Sequence, residues 1–247
     1  MNRRTTVFIA CVTSALATAS ALGQTCPEPL QSARRLVLVT AENMETSTAT
    51  VQLFERASPA DAWRPVAPAE AALLGRTGMA WGYGFYHLGQ DAEPRKIEGD
   101  KRTPAGFYRI GPSFGFAASP QPGYTQLKEE TVCVDDPASP AYNTITSRGL
   151  VGHKVHGENM RSNPRYRRGL VVDYPTNAKA RAGSCIFIHV QRSATSPTLG
   201  CVALPEARVA ALQEFAEPGA VLATLPQAAF SRLSGCLPQI AGGKPKP

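Results

Sequence analysis

A histidine and a cysteine, His189 and Cys201, lie twelve positions apart in the stretch CIFIHVQRSATSPTLGCVALP. A thiol attacks as the thiolate, so a catalytic cysteine needs a base or a positive charge to lower its pKa from about 8.5. His189 ends an apolar stretch, and the polar segment after it could bring Cys201 back to the imidazole. Gly200 would allow a tight turn and bring amides close to an oxyanion. The pattern indicates a cysteine nucleophile, with a disulfide cysteine or a buried thiol as alternatives.

The cysteine count favours a free thiol. Cys11 lies in the N-terminal segment, which leaves five others: Cys26, Cys133, Cys185, Cys201 and Cys236. In an oxidising compartment, four of these can form two disulfides with three possible connectivities. We prefer Cys133 with Cys185 and Cys26 with Cys236, which leaves Cys201 free; the other connectivities remain open.

The N-terminal residues predict export. Residues 1–23 combine a basic start, an apolar run and small residues before a cleavage site, as in a secretory signal peptide. The run is short for a membrane span, so no stable membrane anchor is expected. Removal of this segment takes away two arginines and lowers the net charge from +7 to +5. A modest positive charge fits a polyanionic envelope polymer as well as a solvated surface, and it shows no clustered face for nucleic acid. We expect the periplasm or cell envelope.

The elements that must position these residues are mostly strands. Apolar stretches punctuated by Gly and Pro predict strands at 36–41, 49–56, 106–111, 170–174, 185–190 and 220–225. Alternation in the strand at 185–190 puts Ile186, Ile188 and Val190 on one face and Cys185, Phe187 and His189 on the other. Helical periodicity is convincing at 205–219, after the cysteine. The sequence predicts a mainly β sandwich or barrel with a packed helix, in one domain over 34–225. Residues 226–247 form a C-terminal extension with a disordered tail.

An upstream stretch, KIEGDKRTPAGFYRIG, extends the pattern. Gly99, Asp100, Thr103, Pro104 and Gly106, then His189, then Thr198, Gly200 and Cys201 follow in order. This arrangement resembles the YkuD-type L,D-transpeptidase family, over about residues 34–225. The resemblance implies a β-sandwich with Cys201 as nucleophile and His189 as general base. It also implies that a carbonyl near Thr198 or Gly200 orients the histidine, and that the amides of Gly200 and Cys201 stabilise the oxyanion.

Family enzymes act on peptidoglycan stem peptides, so the resemblance implies attack on the L,D bond before D-alanine and transfer to an amine or to water. The chain departs from the family pattern at Leu199 and at Ala203, where an arginine is common. Both departures concern substrate choice more than the nucleophile. Arg192, in the loop between histidine and cysteine, could bind a stem carboxylate instead, although a solvated arginine is the simpler interpretation.

Two more histidines, His153 and His156, are spaced like half of a metal site. Without a second pair or an acid at recognisable spacing, they predict no metal, and no cofactor is expected. His156 could line a substrate pocket, but a structural histidine is the simpler interpretation. Three alternatives to a transpeptidase stay open: an L,D-carboxypeptidase, an amidase that releases protein from peptidoglycan, and a non-catalytic wall-binding module. The sequence leaves the oligomeric state open.

Overall fold

The computed structural model of the 247-residue chain describes residues 25–216 and 219–239. The predicted signal peptide and the predicted disordered tail at 242–247 lie outside the described residues. The strands are β1 (Arg35–Ala41), β2 (Thr48–Glu55), β3 (Arg64–Pro65), β4 (Glu70–Leu73), β5 (Met79–Trp81), β6 (Thr103–Gly115), β7 (Thr125–Gln126), β8 (Thr131–Cys133), β9 (Ile145–Ser147), β10 (Glu158–Asn159), β11 (Arg168–Val172), β12 (Phe187–Val190), β13 (Val202–Leu204) and β14 (Val221–Pro226). The helices are α1 (Glu28–Ser32), α2 (Arg148–Val151) and α3 (Glu206–Phe215), and 3₁₀ turns occupy Tyr86–Leu88, Pro164–Arg167, Gln227–Ala229 and Ser231–Leu233.

The large sheet closes on itself. Its strands follow the order β1, β14, β6, β11, β12, β13, β4 and β2, and β2 pairs back with β1. Strand β1 pairs in parallel with β14 and antiparallel with β2, so the first and last strands of the sequence meet. The mainly β prediction is confirmed, with a barrel- or sandwich-like sheet. Closure leaves the strands of the ring without free edges, which fixes their relative positions.

Strands β12 and β13 carry the residues of interest. They pair in parallel, with Ile188 opposite Val202 and His189 opposite Ala203. Ile186, Ile188 and Val190 belong to the largest hydrophobic cluster, whereas Phe187 and Cys201 belong to a second, smaller one. The predicted alternation is therefore confirmed. Since paired residues on neighbouring strands point to the same face, His189 and Cys201 lie on the face that carries Phe187.

All six predicted strands differ in their bounds, most of all β6, which covers Thr103–Gly115 rather than 106–111. The bounds of β12 and α3 differ for local reasons. Strand β12 begins at Phe187 rather than at 185, because Cys185 has a φ of 54°, in the left-handed region that no strand residue adopts. Helix α3 ends at Phe215 rather than at 219, and the amide of Ala216 donates to Leu212 O. Helix α3 packs against β11 and β12, and the Gln213 side chain donates to the Phe114 and Gly169 carbonyls.

A second, three-stranded sheet, with the order β10, β8 and β9, lies beside the closed sheet. We call the segment from β8 to the end of the 3₁₀ turn Pro164–Arg167, which carries strands β8–β10, the cap. Cys133, Met160 and Tyr166 of the cap pack in the same cluster as Phe187 and Cys201. The cap therefore covers the face of the closed sheet on which His189 and Cys201 lie.

Candidate active site

Cys201 carries the free thiol among the described cysteines. It directly precedes β13 and is 8% exposed. Its Sγ accepts a hydrogen bond from the Phe187 amide (3.4 Å) and donates to the Cys185 carbonyl (3.5 Å). The other four cysteines form the disulfides Cys26–Cys236 and Cys133–Cys185, which is the pairing preferred from the sequence. The thiol is thus held by the backbone just before β12.

Two buried threonines hold the backbone of Cys201. The Cys201 carbonyl accepts hydrogen bonds from Thr198 Oγ1 (2.7 Å) and Thr103 Oγ1 (3.3 Å). Thr103 belongs to the upstream Gly-Asp-x-x-Thr-Pro stretch, and its Oγ1 also accepts from the Gly75 amide (2.8 Å). The upstream stretch therefore supports the cysteine directly, a role that the sequence pattern did not specify for Thr103.

Gly200 and Thr198 do not act as predicted. The Gly200 amide donates to Thr198 Oγ1 (3.0 Å), so it is already engaged and is not an oxyanion donor in this arrangement. Gly200 is required for another reason: its φ is +148°, and an added Cβ would lie 3.2 Å from the Arg102 carbonyl. Thr198 orients the Cys201 carbonyl rather than His189. The Cys201 amide stays the predicted oxyanion donor.

The His189 ring is fixed by its own strand. Its Nδ1 lies 2.9 Å from the Val190 carbonyl, not from a carbonyl of Thr198 or Gly200 as predicted. A carbonyl accepts only, so Nδ1 carries the proton and Nε2 is left as an acceptor. The Tyr166 ring packs edge-on against the imidazole, with 5.4 Å between ring centroids. His189 therefore has the tautomer that a general base needs.

Burial keeps both groups neutral. Desolvation raises the pKa of Cys201 to about 12; the Phe187 amide opposes the shift, Glu158 adds to it, and the charges of Arg165 and Lys96 oppose it. Desolvation lowers the pKa of His189, which is 3% exposed, to about 4. The hydrogen bond to Val190 acts to raise this pKa, and the charge of Arg165 acts to lower it. At neutral pH the site therefore holds a thiol and a neutral imidazole, not a thiolate–imidazolium pair.

The upstream stretch also brings a buried ammonium to the site. Lys96 is 2% exposed, and its Nζ donates to Asp100 Oδ1 (2.6 Å) and the Ile97 carbonyl (2.8 Å). Asp100 also accepts from the Ile97 and Arg102 amides, which closes the turn. An added Cβ at Gly183 would lie 2.9 Å from Nζ, so glycine makes room for this side chain. Lys96 was not predicted, although it begins the quoted upstream stretch.

Two other predicted residues lie on the surface. Arg192 is exposed on the loop after β12. The exposed His156 side chain bonds to Asp135 through Nδ1, and its amide donates to Asp136. No contact brings either residue to Cys201 or His189. Their substrate-binding roles stay predictions, and the described residues contain no group of three or more His, Cys, Asp and Glu that could hold a metal.

The cap supplies residues that the sequence did not predict. The Tyr166 hydroxyl donates to Glu158 Oε2 (2.7 Å), and Asn163 Nδ2 donates to Glu158 Oε1 (2.8 Å). Asn163 Oδ1 accepts from Arg165 through the amide and Nε. The only sequence signal for this network was its polar and aromatic composition within RSNPRYRR, which carries no recognised motif.

A mainly β protein with a cysteine and a histidine on one face of adjacent strands is the class that the fold and the site define. The family described as the YkuD L,D-transpeptidase catalytic domain matches residues 48–223, so the chain belongs to this family. The resemblance drawn from the sequence is confirmed.

Among solved structures, the Bd1075 protein of Bdellovibrio bacteriovorus is 15% identical, with a TM-score of 0.40, over 78% of this chain and 48% of that chain. The L,D-transpeptidase (Yku) from Stackebrandtia nassauensis is 11% identical, with a TM-score of 0.32, over 83% of this chain and 61% of that chain. The chain spans about half to three fifths of the length of these proteins. No curated protein matches it. In the described part of the chain, no helix is long and apolar enough to cross a membrane.

Proposed function

We propose that the protein is an exported cysteine acyltransferase that acts on peptidoglycan stem peptides. It attacks the L,D bond before D-alanine, forms a thioester on Cys201, and transfers the acyl group to an amine or to water. One observation carries the proposal: the free thiol of Cys201 lies on the same face of the sheet as His189, next to the strand of that histidine, and His189 Nε2 is left as an acceptor. The chain also belongs to the L,D-transpeptidase family.

The reaction begins from neutral groups. The thiol hydrogen, which points to the Cys185 carbonyl at rest, turns toward His189 Nε2. Sγ attacks the scissile carbonyl while Nε2 takes the proton, and the Cys201 amide donates to the oxyanion. The intermediate collapses, the C–N bond breaks, and the imidazolium returns its proton to the leaving amine of D-alanine. An incoming amine or water then gives its proton to His189 and attacks the thioester carbonyl. The C–S bond breaks as this second intermediate collapses, and the imidazolium returns the proton to Sγ, which restores the thiol and the neutral imidazole.

Neutral, hydrogen-bonded groups cost much less to bury than charged ones, so burial of the site is compatible with chemistry. A thiolate–imidazolium pair would have to be stabilised in a nearly dry environment. The charges of Lys96 and Arg165 favour negative charge on sulfur, and both oppose the effect of burial on Cys201. They therefore stabilise the charge that develops on Sγ as the proton leaves.

The two disulfides and the family are consistent with an exported protein, because disulfides persist in oxidising compartments. We propose residues 1–23 as the signal peptide, residues 34–225 as the catalytic domain and residues 226–247 as a C-terminal extension. The basic composition fits an envelope polymer as partner.

A wall-binding module without catalysis is the second candidate, and one observation favours it: Cys201 and His189 are 8% and 3% exposed. A thiol that iodoacetamide leaves unmodified in the folded protein, while the protein still sediments with peptidoglycan, would favour this candidate. Alkylation of Cys201 with loss of turnover would favour the enzyme.

The test incubates the purified protein with tetrapeptide muropeptides and reads the products by mass. Loss of D-alanine alone identifies a carboxypeptidase, a dimer mass identifies a transpeptidase, and release of a protein-linked stem peptide identifies the amidase. Cys201→Ala and His189→Asn should lose the activity, and Arg192→Ala tests the loop arginine. Arg181→Ala, on an exposed turn, is the control that should keep it.

A further inference from the structure

The segment 161–168, at the end of the cap and the start of β11, carries four arginines, and three of them have carboxylate partners. Arg161 lies 3.9 Å from Glu129, and Glu206 pairs with Arg167 at 2.8 Å and with Arg168 at 3.7 Å. Arg165 differs: among the described residues, no carboxylate oxygen lies within 4.0 Å of its guanidinium. A half-buried guanidinium in this position carries a charge that the protein itself does not neutralise.

Arg165 is nevertheless held in place. Its backbone amide and Nε both donate to Asn163 Oδ1, at 3.2 Å and 2.9 Å. The Asn163 amide nitrogen donates in turn to Glu158, whose other oxygen accepts from Tyr166. Asn163 therefore lies between Arg165 and Glu158 while it orients the guanidinium. Within 25–216 and 219–239, no acceptor bonds to the terminal nitrogens of Arg165, which are left for a ligand.

The position of Arg165 connects this charge to the proposed catalytic pair. Arg165 directly precedes Tyr166, whose ring packs against His189. Its charge reaches both reacting groups, since it lowers the pKa of His189 and of Cys201. The residue paired with His189 in β13 is Ala203, which is buried and has no charge. Arg165 is therefore the cation of the cap whose charge acts on both reacting groups.

We infer that Arg165 binds a carboxylate of the stem peptide and so determines substrate specificity, an inference that rests on the proposed function. A guanidinium matches a carboxylate with two parallel N–H donors, and Asn163 already fixes its plane. The stem offers this chemistry in two places: the terminal carboxylate of D-alanine and, in stems with a diamino diacid at the third position, the side-chain carboxylate.

The test compares KM and kcat for a tetrapeptide muropeptide. Loss of a charged hydrogen bond should raise KM about 10- to 100-fold in Arg165→Ala. The charge of Arg165 also favours negative charge on Sγ, so kcat should fall as well, by a smaller factor than the rise in KM. Arg165→Lys should fall between. Arg165→Gln keeps a side chain that can bond to Asn163, so it separates loss of charge from loss of folding. Arg161→Ala is the control: this guanidinium stacks on Phe116 and pairs with Glu129, and KM should not change.

Altered substrates identify the carboxylate. If Arg165 binds the terminal carboxylate, a D-alaninamide stem should raise the KM of the wild type as much as Arg165→Ala does, and should not affect the variant further. If it binds the side-chain carboxylate, a stem with lysine at the third position should behave this way instead. Normal turnover with the same KM in wild type and all three Arg165 variants would overturn the inference and leave the proposed function intact.

A wild type without turnover would instead count against the proposed function. The inference is then tested by binding alone, with calorimetry of the tetrapeptide on Cys201→Ser and on Cys201→Ser with Arg165→Gln. A Kd at least about tenfold weaker in the second protein supports a carboxylate site. Equal Kd values, or no binding to either protein, would overturn it.

Discussion

Cys201 and His189 are both buried, and burial disfavours the charged form of each group. Many cysteine enzymes keep a thiolate beside an imidazolium, whereas both groups are neutral here at neutral pH. In the mechanism that we propose, the proton transfer and the attack on the carbonyl belong to the same step. His189 is the natural recipient, because its Nδ1 proton is committed to Val190.

The first prediction concerns the alkylation rate of Cys201. With a thiol pKa of about 12, the thiolate fraction is small at neutral pH. The rate with iodoacetamide should therefore rise about tenfold for each pH unit between 7 and 9. Mass spectrometry of the Cys201 peptide after timed quenching measures it, with glutathione as the reference thiol. A rate that is constant over this range would mean a preformed thiolate and would contradict the neutral pair.

The second prediction concerns stability in acid. The folded protein holds His189 neutral down to a pKa of about 4, while the unfolded chain protonates it below 6.5. The contribution of His189 to the free energy of unfolding is therefore fully present above pH 6.5. About 3 kcal/mol of it is lost as the pH falls from 6.5 toward 4. Urea unfolding should show a shallower pH dependence for His189→Asn than for wild type. His153→Asn, an exposed control, should follow the wild type; equal slopes for all three proteins would contradict the assignment.

Single residues could be predicted where their type is chemically diagnostic. Cys201 and His189 follow from the motif, and the free thiol follows from the odd cysteine count. The orientation of His189 could not be predicted, because its carbonyl partner depends on the local path of β12. The conformational requirement at Gly200 could not be predicted either: its amide donates to Thr198 Oγ1, and its φ of +148° is what requires glycine.

At the scale of secondary-structure elements, the loop before β13 and the start of β6 together position the thiol. Thr198 and Thr103 both donate to the Cys201 carbonyl, so the loop is tied to its own strand and to the start of β6. The upstream Gly-Asp-x-x-Thr-Pro stretch is therefore a support for the cysteine as well as a turn.

Thr103→Val is the third prediction. It removes a donor to Cys201 and leaves the buried Gly75 amide without its acceptor, which should cost about 1–3 kcal/mol of unfolding free energy. We also expect kcat to fall about tenfold, because the Cys201 backbone loses one of its two supports. Denaturant unfolding and steady-state kinetics measure both quantities. Thr103→Ser should restore both; a Ser variant as impaired as the Val variant would show that the methyl group, not the hydroxyl, matters.

The disulfides provide the fourth prediction. Cys133–Cys185 connects β8 of the cap to the residue whose carbonyl accepts from the Cys201 thiol, whereas Cys26–Cys236 joins the ends of the described chain. Replacing either pair by serine should lower stability, by about 4 kcal/mol for the first and about 5 for the second in the chain-entropy model. Only loss of Cys133–Cys185 should also lower kcat of the folded protein. Equal kcat values for the two double variants would contradict a role of this disulfide in positioning the site.

Six of the fourteen described strands could be predicted from apolar stretches and from Gly and Pro at the turns: β1, β2, β6, β11, β12 and β14. Their bounds could not: β12 starts late because Cys185 is held in a left-handed conformation, with its amide donating to Asn143. That constraint comes from a contact across 42 residues, which local pattern does not contain. The cap strands β8–β10 are only two or three residues long and carry no periodic signal.

At the scale of the whole molecule, closure of the sheet and the cap together define the site. The parallel pairing of β1 with β14 joins residues nearly two hundred positions apart, such as Leu36 and Val221. A mainly β class was predictable from composition and turns, but this pairing was not, because long-range registry depends on the complete set of contacts. For the same reason, Arg165 and Glu158 could not be assigned to the site from sequence.

The central claim is that Cys201 forms a thioester with the stem peptide, and intact-protein mass spectrometry tests it most directly. The protein is mixed with tetrapeptide muropeptide and quenched in acid within seconds. We predict an adduct with the mass of the stem minus D-alanine, located on the Cys201 peptide, reversed by hydroxylamine, and absent in Cys201→Ala. Product formation by Cys201→Ala, or an adduct on another residue, would contradict the claim.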